Sequence, residues 1–178
     1  PFETIRHPDL ECDDTIATMA IRHCSKGDNC TIISSDSDFI QLLNYENFDI
    51  KLYNPIRKKF IEKPEYDYVM WKALRGDKTD NIYGIKGIGD KTATKLIKHP
   101  DLLLELLRDD EKRQIFERNV NLIRLVDFTS DMTMLERARG IKDFDKLNKI
   151  FSDLEFSSML NEKYWNNYKV LYQNFHNL

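Results

Sequence analysis

Between Glu11 and Tyr53 the hydrophobic period changes twice, and no other stretch limits the fold as strongly. From Glu11 to Lys26, the residues Cys12, Ile16, Ala20 and Cys24 recur every four positions. That spacing predicts an amphipathic helix, stopped by Gly27. Thr31-Ile32-Ile33-Ser34 is then short and rich in β-branched residues, which suits a buried parallel strand. A short helix is expected from Asp38 to about Asn44, followed by an alternating second strand, Phe48 to Tyr53, turned by Asn54-Pro55. Strands between helices predict an α/β unit. Two strands are marginal by themselves, because three or more are usually needed. The chain opens on Pro1 rather than Met. The expectation is therefore that further strands lie upstream and that the chain is a fragment or processed product.

Farther along, Pro64 is expected to start a helix carried by Tyr68, Trp71 and Leu74 and ended at Gly76. Glycines and aspartates punctuate residues 76–89, helix resumes at Asp90, and beyond Asp101 almost everything reads helical. Near the end, Tyr164, Tyr168, Leu171, Tyr172 and Phe175 form one stripe, read as core packing. The 178 residues are 41% hydrophobic and 32% charged, with a mean hydropathy of −0.57. That excludes a disordered chain, and no apolar run approaches the ~18 residues of a membrane-spanning helix. Cys12, Cys24 and Cys30 have no zinc-site or disulfide-framework spacing and suit a reducing compartment.

The charge is unevenly spread. Residues 1–50 carry 3 Lys/Arg against 10 Asp/Glu, whereas residues 51–100 carry 12 against 6. The acidic residues fall into three motifs: Glu11-Cys12-Asp13-Asp14 at a helix start, Ser34-Ser35-Asp36-Ser37-Asp38 at a strand end, and Gly76-Asp77-Lys78-Thr79-Asp80-Asn81 beside a glycine. In the first, helical spacing puts Glu11 and Asp14 on one face with Asp13 to the side. Taken singly, each motif is explained by helix dipoles, capping or turn chemistry. Taken together, seven carboxylates lie at element ends able to converge. A like-charge pair at ~4 Å costs about 4 kcal/mol at an effective dielectric of ~20, so such a cluster needs cations or protons. Hard oxygen donors in that number suit Mg²⁺ or Mn²⁺, and two such ions make a phosphoryl-transfer device.

Directly after the third motif comes Gly84-Ile85-Lys86-Gly87-Ile88-Gly89-Asp90-Lys91-Thr92-Ala93. Glycines at 84, 87 and 89 allow close backbone approach, a helix N-terminus follows, and Lys86, Lys91, Lys95 and Lys98 add positive charge. A dinucleotide site is the rival, but the order is GxxGxG rather than GxGxxG and no strand precedes it. The segment is read as a sequence-neutral contact to a DNA backbone.

The run GDKTDNIYGIKGIGDKTATKL resembles the helix–hairpin–helix segment of the 5′ nuclease superfamily, which includes flap endonucleases and the 5′ nuclease domain of bacterial DNA polymerase I. ExDD and SSDSDF match the family's other acidic motifs in order, and ISSDSDFIQL and NLIRLVDF resemble the T-even phage ribonuclease H. The likeness covers about residues 9–130. It implies a PIN-like α/β core, incomplete at its N-terminus, over residues 1–63. A mostly helical region would span 64–178, with the hairpin motif at about 76–98. It further implies a two-metal phosphodiesterase acting near 5′ ends of branched or nicked duplexes. Glu11, Asp13, Asp14 and Asp36 would serve the tighter metal site, and Asp38, Asp77 and Asp80 the second, some through water. Carbonyls of Gly84, Ile85 and Ile88 would hold K⁺, and Gly84, Lys86, Gly87, Gly89, Lys91, Thr92 and Lys95 would contact DNA.

The family's first metal-binding aspartates and its basic arch are not in this sequence, so duplex binding without robust cleavage is expected of this polypeptide alone. The implied partners are double-stranded or branched DNA or an RNA–DNA hybrid, with replication proteins. A monomer without membrane contact is expected, in the cytoplasm of a bacterial or phage-infected cell. The alternative is a non-catalytic helix–hairpin–helix module, against which the seven acids argue, because they would repel DNA.

Overall fold

The structure is a computed structural model that describes residues 2–141 and 143–174, and side chains up to 171. Phe175 and the Tyr172 side chain of the expected stripe lie outside those limits. The chain forms two compact units, Arg6–Glu136 and a smaller one of Pro1–Ile5 with Arg137–Leu178.

In the larger unit, helix α1 (Cys12–Cys24) buries Ala17, Ala20, Ile21 and Cys24 together with Thr15 and Thr18. The expected stripe is therefore rotated: Cys12 is exposed, and two threonines go inside. They are tolerated there because the Thr15 hydroxyl donates to the Glu11 carbonyl and the Thr18 hydroxyl to that of Val126, each at 3.3 Å. Strand β2 (Cys30–Ile33) runs parallel to β3 (Ile50–Asn54), pairing Cys30 with Ile50 and Ile33 with Tyr53. The expected two strands become three, because β4 (Lys59–Ile61) returns antiparallel to β3. Strand β2 is parallel as expected but not fully buried; it lies at the end of this sheet, and Ile33 is 69% exposed. A 3₁₀ helix, Asp38–Asn44, follows β2 and buries Phe39 and Leu42 against Ala17, Ile32 and Leu52.

A second hydrophobic cluster, in the same compact unit, is built by α2 (Tyr68–Arg75), α3 (Asp90–Lys98), α4 (Pro100–Leu106) and α5 (Asp110–Ile123) around Ala73, Leu74, Ile85, Ala93 and Phe116. Helix α2 starts four residues beyond Pro64, where the Asp67 carboxylate accepts the Met70 N–H at 2.9 Å and so caps the first turn. Between α2 and α3, the two-residue strands β5 (Gly76–Asp77) and β6 (Ile82–Tyr83) pair antiparallel. After α5 the expected helix gives way to an extended stretch whose backbone is held by side chains from elsewhere. Gln41 accepts the Leu125 N–H at 3.0 Å, Asp14 that of Val126 at 2.8 Å, and Thr18 that of Phe128 at 3.2 Å. Those tertiary bonds replace the intrahelical ones a helix would need.

Strand β1 (Glu3–Arg6) forms a ribbon with β7 (Glu136–Arg139), and α6 (Phe144–Asp153), α7 (Ser157–Leu160) and α8 (Glu162–Asn174) follow in the smaller unit. The ring core is centred one residue away from the expected stripe. Trp165 stacks on Tyr168 and meets Phe144 and Phe151 edge-on, whereas Tyr164 and Leu171 are 48% and 60% exposed. Among the described residues no helix is long and apolar enough to cross a membrane.

Candidate active site

The three acidic motifs meet in one groove of about 960 Å³ in the larger unit, lined by Glu11, Asp13, Asp36, Asp38, Asp77 and Asp80. Local folding explains each placement. Glu11 precedes α1 in extended backbone and Asp13 lies in its first turn, so helical spacing does not govern the pair. This is why Asp13, rather than Asp14, shares the groove with Glu11; the Asp14 carboxylate instead anchors the Val126 N–H. Asp36 follows β2, where ligands of α/β sheets collect, and its Oδ1 accepts the Asp38 N–H at 2.9 Å. Asp77 ends β5 and accepts both the backbone N–H of Thr79, at 2.9 Å, and its hydroxyl.

One cation lies among these acids. Lys72, only 1% exposed, donates to Asp38 Oδ1, pairs with Asp77 Oδ2, and has Asp80 Oδ2 at 3.7 Å. Burial works against its ammonium, but the bonds to Asp38 and Asp77 outweigh that and raise its pKa. Burial likewise pushes Asp77 up, while the bonds from Lys72 and Thr79 win and hold it well below the usual carboxylate range. Asp38 is shifted upward, chiefly by burial and further by Asp36 and Asp80, against the pull of Lys72. At the other end of the groove Asp13 is raised by burial and then by Asp36, Asp38, Glu11 and Asp14. Among the described residues no ion pair neutralises Glu11, Asp13 or Asp36.

This donor set fits a hard divalent cation: it is all oxygen, and the negative charge around Asp13 is uncompensated. Among the described residues no three of the acids already converge at ligating separation, so bound ions would draw them together. Lys72 is the site residue that sequence reasoning missed. It occupies a core-facing position of α2, one turn after buried Tyr68 and beside buried Ala73. A lysine on an apolar face five residues before Asp77 was the available signal.

The glycines beyond the groove divide by role. A side chain on Gly84 would meet the Arg75 carbonyl carbon at 2.1 Å, and one on Gly76 the Gly84 nitrogen at 2.3 Å. The packing of the chain on itself therefore requires glycine at 84. Gly87, with φ +84°, and Gly89 face open space ahead of α3, whose first turn has Lys91 and Thr92 exposed. Lys86 and Lys95 are exposed as well. The Ile85 N–H donates to the Leu74 carbonyl at 2.9 Å, and the Ile85 carbonyl accepts the Ile88 N–H at 3.0 Å, which fixes the turn. Behind it, fully buried Asn119 donates to the carbonyls of Ala73 and Tyr83, both at 2.9 Å, tying α5 to the elements that flank the third acidic motif.

Known proteins share both the fold and the sequence. The chain is 32% identical over 176 residues to a 5′-3′ exonuclease of Aquifex aeolicus, covering 87% of this chain and 59% of that protein. It is 32% identical over 177 residues to the thermostable DNA polymerase I of Thermus thermophilus, covering 87% of this chain and 21% of the polymerase. The chain thus spans less than two thirds of the exonuclease and about a fifth of the polymerase. Among solved structures, a mutant T5 5′-exonuclease superposes with a TM-score of 0.54 at 21% identity, covering 65% of this chain and 56% of that one. The bacteriophage T5 flap endonuclease, in a pseudo-enzyme–product complex with DNA and metal ions, superposes with a TM-score of 0.55 at 20% identity, covering 65% and 50%. At those identities the likeness shows the α/β fold with its helical C-terminal region. The family described as "5'-3' exonuclease, C-terminal SAM fold" matches residues 63–169, more than half of the sequence, and the chain therefore belongs to the 5′-3′ exonuclease family.

Proposed function

We propose that this protein is a metal-dependent 5′-3′ exonuclease and flap endonuclease that hydrolyses phosphodiesters near 5′ ends of branched or nicked duplexes during replication and repair. The observation that carries this reading is the meeting of six carboxylates, from three separate stretches, in one groove of a chain of this family. Glu11, Asp13 and Asp36 would hold one Mg²⁺ or Mn²⁺, and Asp38, Asp77 and Asp80 a second. Such ions supply Lewis-acid stabilisation of the charge that builds on a phosphodiester under hydrolysis. Lys72 keeps Asp38 and Asp77 oriented, and its ammonium supplies part of the positive charge the groove needs.

The open turn at Gly87 and Gly89, the N-terminus of α3, and Lys86, Lys91 and Lys95 would bind duplex backbone without reading sequence. A K⁺ on the carbonyls of Gly84, Ile85 and Ile88 would brace that turn. The expected setting is a monomer in the cytoplasm, working beside replication proteins.

Divalent ions should raise the melting temperature by mass action, stabilising by about 2.7 kcal/mol at ~100 times Kd. Asp36→Asn should remove most of that shift, together with any cleavage of a 5′-flap duplex. A melting curve indifferent to Mg²⁺ and Mn²⁺ would overturn the metal assignment. Cleavage that survives Asp36→Asn would overturn the site.

A further inference from the structure

We infer that the β3–β4 hairpin is a binding surface for single-stranded nucleic acid, separate from the duplex contact at Gly87–Lys95. This rests on the nuclease reading above and adds a second strand-binding element to it. The turn of the hairpin presents Arg57, Lys58 and Lys59 in succession, all exposed. Nearby cations are paired, Lys51 with Asp49 at 3.6 Å and Lys63 with Glu46 at 3.2 Å. Among the described residues Arg57, Lys58 and Lys59 have no carboxylate partner, so no ion pair there offsets the three adjacent positive charges.

The turn is rigid rather than loose. Asn54 Oδ1 accepts the N–H groups of Ile56 and Arg57 at 3.0 and 2.9 Å, and Asn54 pairs with Lys59 across the ladder. Lys58 has φ +52°, a left-handed conformation that suits glycine or asparagine far better. A long cationic side chain is thus presented at a place where turn chemistry alone would select a small residue.

Aromatic and apolar surface adjoins the charge. The Phe60 ring is 56% exposed and meets Tyr53 edge-on at 5.2 Å, and Ile56 at the turn is 78% exposed. Beside them a groove of about 450 Å³ is lined by Leu43, Ile50, Lys51, Phe60, Ile61 and Lys63. Cations for phosphates next to an exposed ring for base stacking are the two elements by which proteins hold unpaired strands without sequence preference. A closed duplex has no exposed base faces for Phe60. An acidic peptide would use the charges and leave the ring unexplained.

Binding of a fluorescent oligothymidylate and of a blunt duplex, each across a salt series, tests this with the full chain. Arg57→Ala/Lys58→Gly/Lys59→Ala keeps the turn, because glycine suits the left-handed position, and Phe60→Leu keeps apolar bulk while removing the ring. The triple variant should weaken the oligothymidylate at least tenfold near 0.1 M salt and flatten its log–log salt slope by up to about 2, at ~0.7 per lost contact. Phe60→Leu should weaken it about fivefold or more, and the duplex should bind both variants as it binds the parent. Unchanged oligothymidylate affinity would overturn the proposal. So would equal losses on duplex and single strand without an effect of Phe60→Leu, or complete competition by polyglutamate at matched charge. Lys86→Ala/Lys91→Ala/Lys95→Ala separates the two readings: if it leaves duplex binding intact, the duplex site proposed above fails while the hairpin result stands.

Discussion

Where Asp38, Asp77 and Asp80 line the groove, a buried ammonium lies among the carboxylates; where Glu11, Asp13 and Asp36 line it, the described residues supply none. The two halves carry three carboxylates each, and the repulsion among the acids of each would be of similar order, about 4 kcal/mol per pair at ~4 Å and an effective dielectric of ~20. Their titration separates them at Asp77 and Asp13, although burial raises Asp38 despite Lys72. Lys72 holds Asp77 low, whereas Asp13 drifts up under burial and its acidic neighbours. The Lys72 half is organised by the chain's own chemistry. The Asp13 half keeps negative charge that only protons or an added cation can relieve.

The largest test of this contrast is Lys72→Met, which keeps the volume of the stem and removes the charge. Asp38 and Asp77 would then be left without their cation, and breaking a buried pair from one side costs about 3–5 kcal/mol. Urea unfolding near neutral pH should show a loss of that size. A loss under ~1 kcal/mol would mean that the ammonium is not what holds this half together.

Acidification sharpens the same comparison. The folded-state pKa of Asp77 lies below its unfolded value of about 3.9, so its contribution is present above that pH and fades as pH falls toward the folded value. Protonation of Asp38 and Asp77 also removes the uncompensated charges created by Lys72→Met. The stability gap between parent and Lys72→Met should therefore shrink steadily below about pH 4. A gap that stays constant across that range would assign the loss to packing rather than to charge.

Much of this architecture is legible in the sequence, and what escapes does so for identifiable reasons. The Asp38–Asn44 turn and the helix start at Asp90 follow from local signals alone. Strand β4 is hidden because Lys59-Phe60-Ile61 is too short to display an alternation. The turn of the chain after Ile123 depends on Asp14, Thr18 and Gln41, whose bonds span 82 to 112 residues and leave no local trace. The acids of the groove are visible as three motifs because carboxylates are conspicuous at element ends. Lys72 is harder to see, because one lysine in a helix ordinarily lies on the solvated side, and its place on an apolar face shortly before Asp77 is the one local hint that α2 turns it inward.

The smallest expected effect concerns the half without a cation. Because the pKa of Asp13 is raised on folding, the folded protein favours its neutral form, and stability contributed by that proton is lost as pH rises through the folded value. Asp13→Asn is neutral at every pH, so at neutral pH it should stabilise the metal-free protein. Partial exposure screens the gain to no more than about 1 kcal/mol. Mg²⁺ or Mn²⁺ should then reverse the order: the parent carboxylate gains a counter-ion, the amide does not, and the ion-induced rise in melting temperature should be smaller for Asp13→Asn. Thermal melts of both proteins with and without divalent ions test this directly. If Asp13→Asn is less stable than the parent without metal, Asp13 is held by bonds the repulsion argument omits, and the two halves of the groove are more alike than their titration implies.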